Sequence, residues 1–285
     1  MKIARFDDNR IGLVVGEEIT DVTMVLDKLP AVRWPYPPGD LLIRHLDALL
    51  PAMLEASANA ERLKLADVTL LSPVANPGKI IAAPLNYKKH IDEARADAGI
   101  NYGSDVQAID RYGVFLKATS ALVGPGQGVV AGPPDRRTDH EAELVVVIGK
   151  GGRNIAREDA LDHVAAYAIG LDMSIRGTED RSYRKSLDSF AVLGPWLVTT
   201  DEFGDPSEVD FELSVNGVTK QKANTRDLIF DVPKLISYSS KAFTLEPGDI
   251  IMTGTPEGVS PVKPGDTMEC SIAGIGSMRV MVRGE

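Results

Sequence analysis

From about Leu71 onward the chain is a succession of short apolar runs, each stopped within a few residues by Gly or Pro. KIIAAP, GVFLKA, GQGVVAG, AELVVVIGK, YAIGLDMS, GPWLVTT, FELSVNG, DIIMTG, TMECSI and MRVMV follow one another, with Gly124-Pro125, Pro133-Pro134, Pro247-Gly248 and Pro264-Gly265 between them. Such runs are strand-sized, and the residues that bound them set turns. Helical spacing beyond Leu71 is confined to 86–98, 156–166 and 231–242. The pattern predicts a mainly β core with some α, in a rolled or barrel-like sheet. Periodicity does not choose its topology.

The first 70 residues read differently. KIARF, DDNR, IGLVV, GEE and ITDVT alternate around turn signals over residues 1 to about 25, the mark of a small β-meander. LLIRHLDALLPAMLEASANAERLK, residues 41–64, has helical apolar spacing interrupted by Pro51, which predicts two short helices. LLSPVANPGKII then reads as a linker. With 285 residues available, the division falls near Leu71: a small N-terminal α/β accessory domain over 1–70 and a major domain over 71–285.

Composition removes several function classes. Lys+Arg 31 against Asp+Glu 41 gives a net charge of −10, the wrong sign for a nucleic-acid partner. No apolar run approaches the ~20 residues needed to cross a bilayer, so no membrane role is expected. One cysteine, Cys270, excludes an internal disulfide and a cysteine zinc cage. The opening MKIARFDDNR lacks the apolar core of a signal peptide. A reducing cytoplasm is the expected setting.

Glu141-Ala142-Glu143 runs directly into LVVVIG. In a strand, residues i and i+2 share a face, so both carboxylates point the same way at the mouth of a buried segment. Their mutual repulsion needs a cation or donors between them; alone, the pair also reads as a solvated strand end. Asp172 ends a second apolar run, YAIGLD. If the two runs are neighbours, three carboxylates converge without Cys or His, a hard-oxygen set suited to Mg²⁺, Mn²⁺ or Ca²⁺. Otherwise Asp172 caps a turn. His90 and Glu93 lie three apart in NYKKHIDEARADAG, on one face of a helix, where they form a general-base pair or a surface ion pair. Lys117 in GVFLKA snorkels outward or supplies a buried charge. Arg176 and Lys185 belong to a charged segment, RGTEDRSYRKSLD, that reads as a solvated loop or as part of a pocket. The turn Gly254-Thr255-Pro256-Glu257-Gly258 can offer N–H groups and a hydroxyl to an anion.

Taken in order, NYxxHxxE, FLK, DHEAELVVVIG, GLDMSIRG and GDIIMTGTPEGV resemble the fumarylacetoacetate hydrolase family. The similarity spans about residues 72–285 and includes NPGKI. It implies a mixed β-sandwich roll and a homodimer. It also implies Mg²⁺ or Mn²⁺, with Ca²⁺ a substitute in crystals, held by Glu141, Glu143 and Asp172. His90 and Glu93 become a catalytic dyad on a mobile lid, joined by Lys117, and Arg176, Lys185 and Thr255 fall in the substrate pocket. The first 70 residues look like the accessory domain found in many members. One departure concerns the substrate tail: relatives that cleave acylpyruvates often carry Gln three positions after the Arg176 equivalent, whereas this chain has Glu179, a further candidate for substrate binding. RKSLDSFAVLGPW is closer to the hydroxymuconate isomerase/decarboxylase-like branch.

The resemblance implies metal-dependent hydrolysis of a C–C bond in a 2,4-dioxo acid, an acylpyruvate such as fumarylpyruvate, in the catabolism of aromatic or related compounds. The competing expectation keeps the same site but uses it as an oxaloacetate-type decarboxylase or a 2-hydroxymuconate-type isomerase. A binding protein that has lost activity would have lost a ligand or the lid histidine, and all of these are present.

Overall fold

The computed structural model describes residues 1–284. Lys2–Phe6 (β1), Arg10–Val15 (β2) and Glu18–Asp21 (β3) form the expected antiparallel meander. Asp7 and Asn9, with φ of 46° and 66°, supply the left-handed residues that its first turn requires.

Two helices follow, Leu41–Arg44 (α1) and Leu46–Ser57 (α2), but the break falls at His45 and not at Pro51. Asp40 starts α1 by accepting from the Ile43 N–H at 3.1 Å. Pro51 sits inside α2 on its exposed side. The Asp47 carbonyl that it leaves without a helical donor therefore faces water, which makes the proline tolerable.

Ile80–Ala82 (β4), Phe115–Lys117 (β5), Ala142–Ile148 (β6), Val164–Asp172 (β7), Ala191–Thr199 (β8) and Ile250–Met252 (β9) continue the same sheet. Its order is β3-β2-β1-β8-β7-β6-β9-β4-β5, with Arg62–Lys64 outside β3. All neighbours along β3 to β5 are antiparallel except β9 and β4. The helix expected over 156–166 does not form. A single tight turn, Ala160–His163, leads straight into β7. VAAYAIG lies buried between β6 and β8, and burial on both faces outweighs the helical spacing of the preceding residues.

A second sheet runs in the order Val218–Asn224, Asp210–Val215, Thr267–Ile272, Gly276–Arg283, Val129–Val130. VTKQKAN is polar because it forms the edge of that sheet, so the apolar pattern does not announce it. Its signal lies in the turn before it, where Asn216 and Gly217 take φ of 51° and 79°.

Alternation along β6 feeds two cores. Leu144, Val146 and Ile148 join Phe211, Leu213, Met268 and Val280 in the space between the sheets. Val145 and Val147 point the other way, into a core shared with Leu42, Ile43, Leu46, Leu49 and Met53 of α1 and α2. The result is mainly β with some α. Lys88–Ala96 (α3), Ala98–Asn101 (α4) and Ile109–Tyr112 (α5) form a separate layer with its own small cluster of Ile91, Ala94 and Val106. Arg181–Arg184 (α6) follows β7. Among the described residues no helix is long and apolar enough to cross a membrane.

Candidate active site

The rows of side chains that fill the helix-covered face of the sheet end in carboxylates. Glu143 continues the Val147–Val145 row of β6, and Asp172 continues the Ala166–Ala168 row of β7. The strands are adjacent, with Ala142 opposite Leu171 and Glu143 opposite Gly170. The Asp172 N–H donates to the Glu141 carbonyl at 2.9 Å, so the pairing extends through the site. One carboxylate oxygen from each of Glu141, Glu143 and Asp172 falls within 4.8 Å of the others, and all three residues are buried.

What balances these charges differs from one to the next. Lys185 donates to Glu141 Oε2 and Asp172 Oδ2, both at 2.7 Å, and to Ser174 Oγ at 2.6 Å. Lys117 bonds Asp172 from the other side, wholly buried. Burial opposes the charge on Glu141, but Lys185 and Arg176 outweigh it and hold that carboxyl well below its usual range. Burial lowers Lys117, and Asp172 restores only part of its basicity. Among the described residues Glu143 has no cationic partner, and its one donor is the Gly254 N–H at 2.6 Å. Burial and the neighbouring Asp172 charge push it well above the ordinary carboxyl range. A divalent cation among the three would supply the countercharge that Glu143 lacks, and an all-oxygen donor set suits Mg²⁺ or Mn²⁺.

The tight turn after β9 receives anions, but they are the protein's own. Gly254 (φ 102°) donates to Glu143, and the Gly258 N–H donates to Glu93 Oε1 at 2.9 Å. A Cβ at position 254 would stand 2.7 Å from that of Asn86, so only glycine permits this approach. Glu93 Oε2 lies 2.9 Å from His90 Nδ1, which leaves His90 Nε2 free on a buried imidazole at the cavity wall. Thr255 donates to the Ala142 carbonyl at 3.0 Å and accepts from Gln221 Nε2 at 2.7 Å, which fixes its hydroxyl.

A cavity of about 460 Å³ opens onto these groups. His90, Glu141, Asp172, Arg176, Glu179, Lys185 and Thr255 line it; Lys117, Glu93 and Glu143 stand behind that wall. Glu179 sits at the exposed rim, in a two-point pair with Arg136 at 2.8 Å for each contact, which pulls its carboxyl down to about 2.

Several residues that line or support the site escaped the sequence reading. Arg176 is the last cation in a chain of alternating charges that begins on the α3–α4 layer: Asp97 to Arg137 (2.9 Å), Arg137 to Asp139 (2.7 Å), Asp139 to Arg176 (2.8 Å), Arg176 to Glu141 (2.9 Å). Asp139 and Ser174 stand two residues from Glu141 and Asp172, so the parity that paired the glutamates could have found both. Arg181 lies four residues before Lys185, one helical turn away. Gln221 carried no signal, because it lies in the polar edge strand.

Residues 79–283 match the family described as fumarylacetoacetate (FAA) hydrolase C-terminal. The chain is 54% identical over 285 residues to the maleylpyruvate hydrolase of Aquipseudomonas alcaligenes, covering 99% of each. It is 36% identical over 298 residues to a mitochondrial oxaloacetate tautomerase of Xenopus laevis, covering 98% of this chain and 89% of that one. The crystal structure of a maleylpyruvate hydrolase from Sphingobium sp. SYK-6, in complex with manganese (II) ion and pyruvate, matches with a TM-score of 0.84 and 43% identity over 100% of this chain and 99% of that one. By its motifs, its fold and these relatives, the chain belongs to the fumarylacetoacetate hydrolase family.

Proposed function

We propose that this protein is a Mg²⁺- or Mn²⁺-dependent hydrolase that cleaves the C–C bond of a 2,4-dioxo acid, an acylpyruvate such as maleylpyruvate or fumarylpyruvate, in the breakdown of aromatic or related compounds. The observation that carries the reading is the pairing of a three-carboxylate cluster, one member lacking a countercharge, with a carboxylate-held histidine on the same cavity. Both the relative over the full chain and the manganese–pyruvate structure support it.

Glu141, Glu143 and Asp172 would hold the cation, which when bound supplies Lewis acidity toward the C1 carboxylate and C2 oxygen of a 2-oxo acid. His90, fixed by Glu93, takes a proton from water at Nε2. The water oxygen adds to C4, and the C3–C4 bond breaks with its electron pair passing to C3. The proton held by His90 returns to C3, giving pyruvate, while the acyl half leaves as a carboxylic acid carrying the water oxygen. Lys117 places a positive charge beside the developing enolate. Arg176, Lys185 and Thr255 orient the substrate, and Glu179, tied to Arg136, shapes the mouth that admits its tail. In this reading residues 71–285 carry the chemistry, residues 1–70 are an accessory domain that braces it, and the working unit is a cytoplasmic homodimer.

The test is an assay of the purified protein with Mg²⁺ or Mn²⁺, and after chelation, against maleylpyruvate, fumarylpyruvate, acetylpyruvate and oxaloacetate. Metal-dependent cleavage of the acylpyruvates is expected. Full activity after chelation would refute the metal site. Turnover of oxaloacetate alone would move the assignment to the tautomerase or decarboxylase chemistry suggested by the second relative.

A further inference from the structure

The cations on the cavity wall are nearly all engaged. Arg176 is charge-paired, donating from Nε to Asp139 and from Nη2 to Glu141, and Lys185 gives its donors to Glu141, Asp172 and Ser174. Arg184 donates to the backbone carbonyls of Glu179 (2.9 Å) and Ile175 (3.4 Å). Arg181 is the exception: among the described residues its guanidinium has no hydrogen-bond acceptor and no ion-pair partner. The adjacent Asp180 is occupied by the N–H and hydroxyl of Ser182, at 2.8 and 2.5 Å.

Arg181 is nevertheless held. Its guanidinium lies over the Tyr112 ring at 4.7 Å and over the Phe115 ring at 5.6 Å. Contacts with aromatic faces seat a guanidinium while leaving its N–H donors unspent. Tyr112 ends α5 and Phe115 begins β5, so the seat is shared between the overlying layer and the sheet. The Lys185 ammonium is also 5.6 Å from the centre of the Phe115 ring. Arg181 therefore stands no more than twice that distance from the ammonium that grips Glu141 and Asp172. Both residues line the same cavity, and the roughly 7 Å from C1 to C7 of a seven-carbon 2,4-dioxo diacid lies within that upper limit.

We propose that Arg181 is the receptor for a terminal carboxylate on the substrate tail, so that the cavity is built for acylpyruvates that are dicarboxylic acids. The proposal rests on the reading of the site as an acylpyruvate hydrolase. A planar guanidinium with free donors can take a carboxylate at two points, and the contacts of Arg181 are with its aromatic seat and not with the carboxylate cluster or the dyad. Arg181 thus selects the substrate without acting on the reacting atoms.

The test compares wild type, Arg181→Gln and Arg181→Lys, loaded with Mn²⁺, on maleylpyruvate and on acetylpyruvate, whose tail is uncharged. The ratio of kcat/KM for the diacid over the neutral substrate should fall about 10–100-fold in Arg181→Gln, the scale of one lost charge-assisted contact. The change should lie chiefly in KM, because the terminal carboxylate keeps its charge throughout the reaction. Arg181→Lys should recover part of the ratio. An unchanged ratio in Arg181→Gln overturns the proposal, as does an equal loss on both substrates. A wild type that cleaves neither substrate sinks the hydrolase reading instead. Calorimetric binding of maleylpyruvate then decides the role of Arg181: about 10–100-fold weaker binding in Arg181→Gln supports it, and equal binding overturns it.

Discussion

Glu143 is the residue on which the proposed metal centre turns, because Glu141 and Asp172 already have ammonium partners and, among the described residues, it has none. Glu143→Gln keeps the shape of the side chain and removes the unbalanced charge. The metal-free variant should be at least as stable as metal-free wild type at neutral pH. Mn²⁺ should raise the melting temperature of wild type and leave the variant unmoved, since a ligand stabilises only the state that binds it. His90→Ala should behave in the opposite way, retaining Mn²⁺ binding by calorimetry but losing acylpyruvate cleavage by about 10²–10⁴-fold, the usual cost of a missing general base. The carboxylates were legible in the sequence because strand parity is a rule about neighbours two apart. The lysines were nameable but their partners were not: Lys185 reaches Glu141 across 44 positions of chain, and no local pattern encodes that approach. Arg181 was passed over for a related reason: its four-residue spacing to Lys185 is a signal only once a helix is known there, and Arg181–Arg184 is too short to announce one.

At the scale of elements, the layer formed by α3, α4 and α5 carries His90 and Glu93, yet little apolar burial holds it in place. Among the polar contacts that tie it to the body are Glu93 to the Gly258 N–H, Asp97 to Arg137, and the exposed pair of Lys89 with Glu257. The Arg137 hydrogen bond holds the Asp97 carboxyl below its usual range. A carboxyl depressed in the folded state stabilises it fully above the unfolded aspartate value, and that contribution fades as pH falls through the depressed one. Asp97→Asn should therefore speed amide exchange across residues 88–101 at neutral pH. Its effect on protease sensitivity of the same segment should shrink toward zero once the pH drops below the ordinary aspartate range. A 2-oxo acid analogue should slow exchange there in wild type. Equal protection in Asp97→Asn and wild type would show that the pair is not a tether. Strands were read from run length and turn residues, and the long buried ones were correctly placed. The misread segments are those where tertiary position overrode local pattern: 156–166, Pro51, and the polar edge Val218–Asn224.

Across the whole molecule, the division near Leu71 does not interrupt the sheet, since β1 lies against β8 and brings the first strands into the layer that carries the site. Phe6, fully buried, belongs to the same core as Leu144, Val146 and Tyr167. Phe6→Ala should destabilise the entire protein by about 3–5 kcal/mol, with calorimetry showing one shifted transition. A separate early transition confined to residues 1–70 would contradict this. That adjacency could not be read in advance, because Lys2 and Val198 are far apart in the sequence and pattern alone does not order strands in space. The register of the two central strands also constrains how such a molecule can change over generations. Side chains on a strand alternate, so a one-residue slip of β6 at Glu143 would turn that carboxylate into the opposite core and put Ala142 or Leu144 in its place. Descendants of this chain are free to replace most side chains and to lengthen many turns. A residue gained or lost in the paired stretch that carries Glu143 and Asp172 disturbs far more than a substitution there, unless a bulge absorbs it, as the register shifts at Val147/Ile148 and Tyr167/Ile169 do farther along these strands.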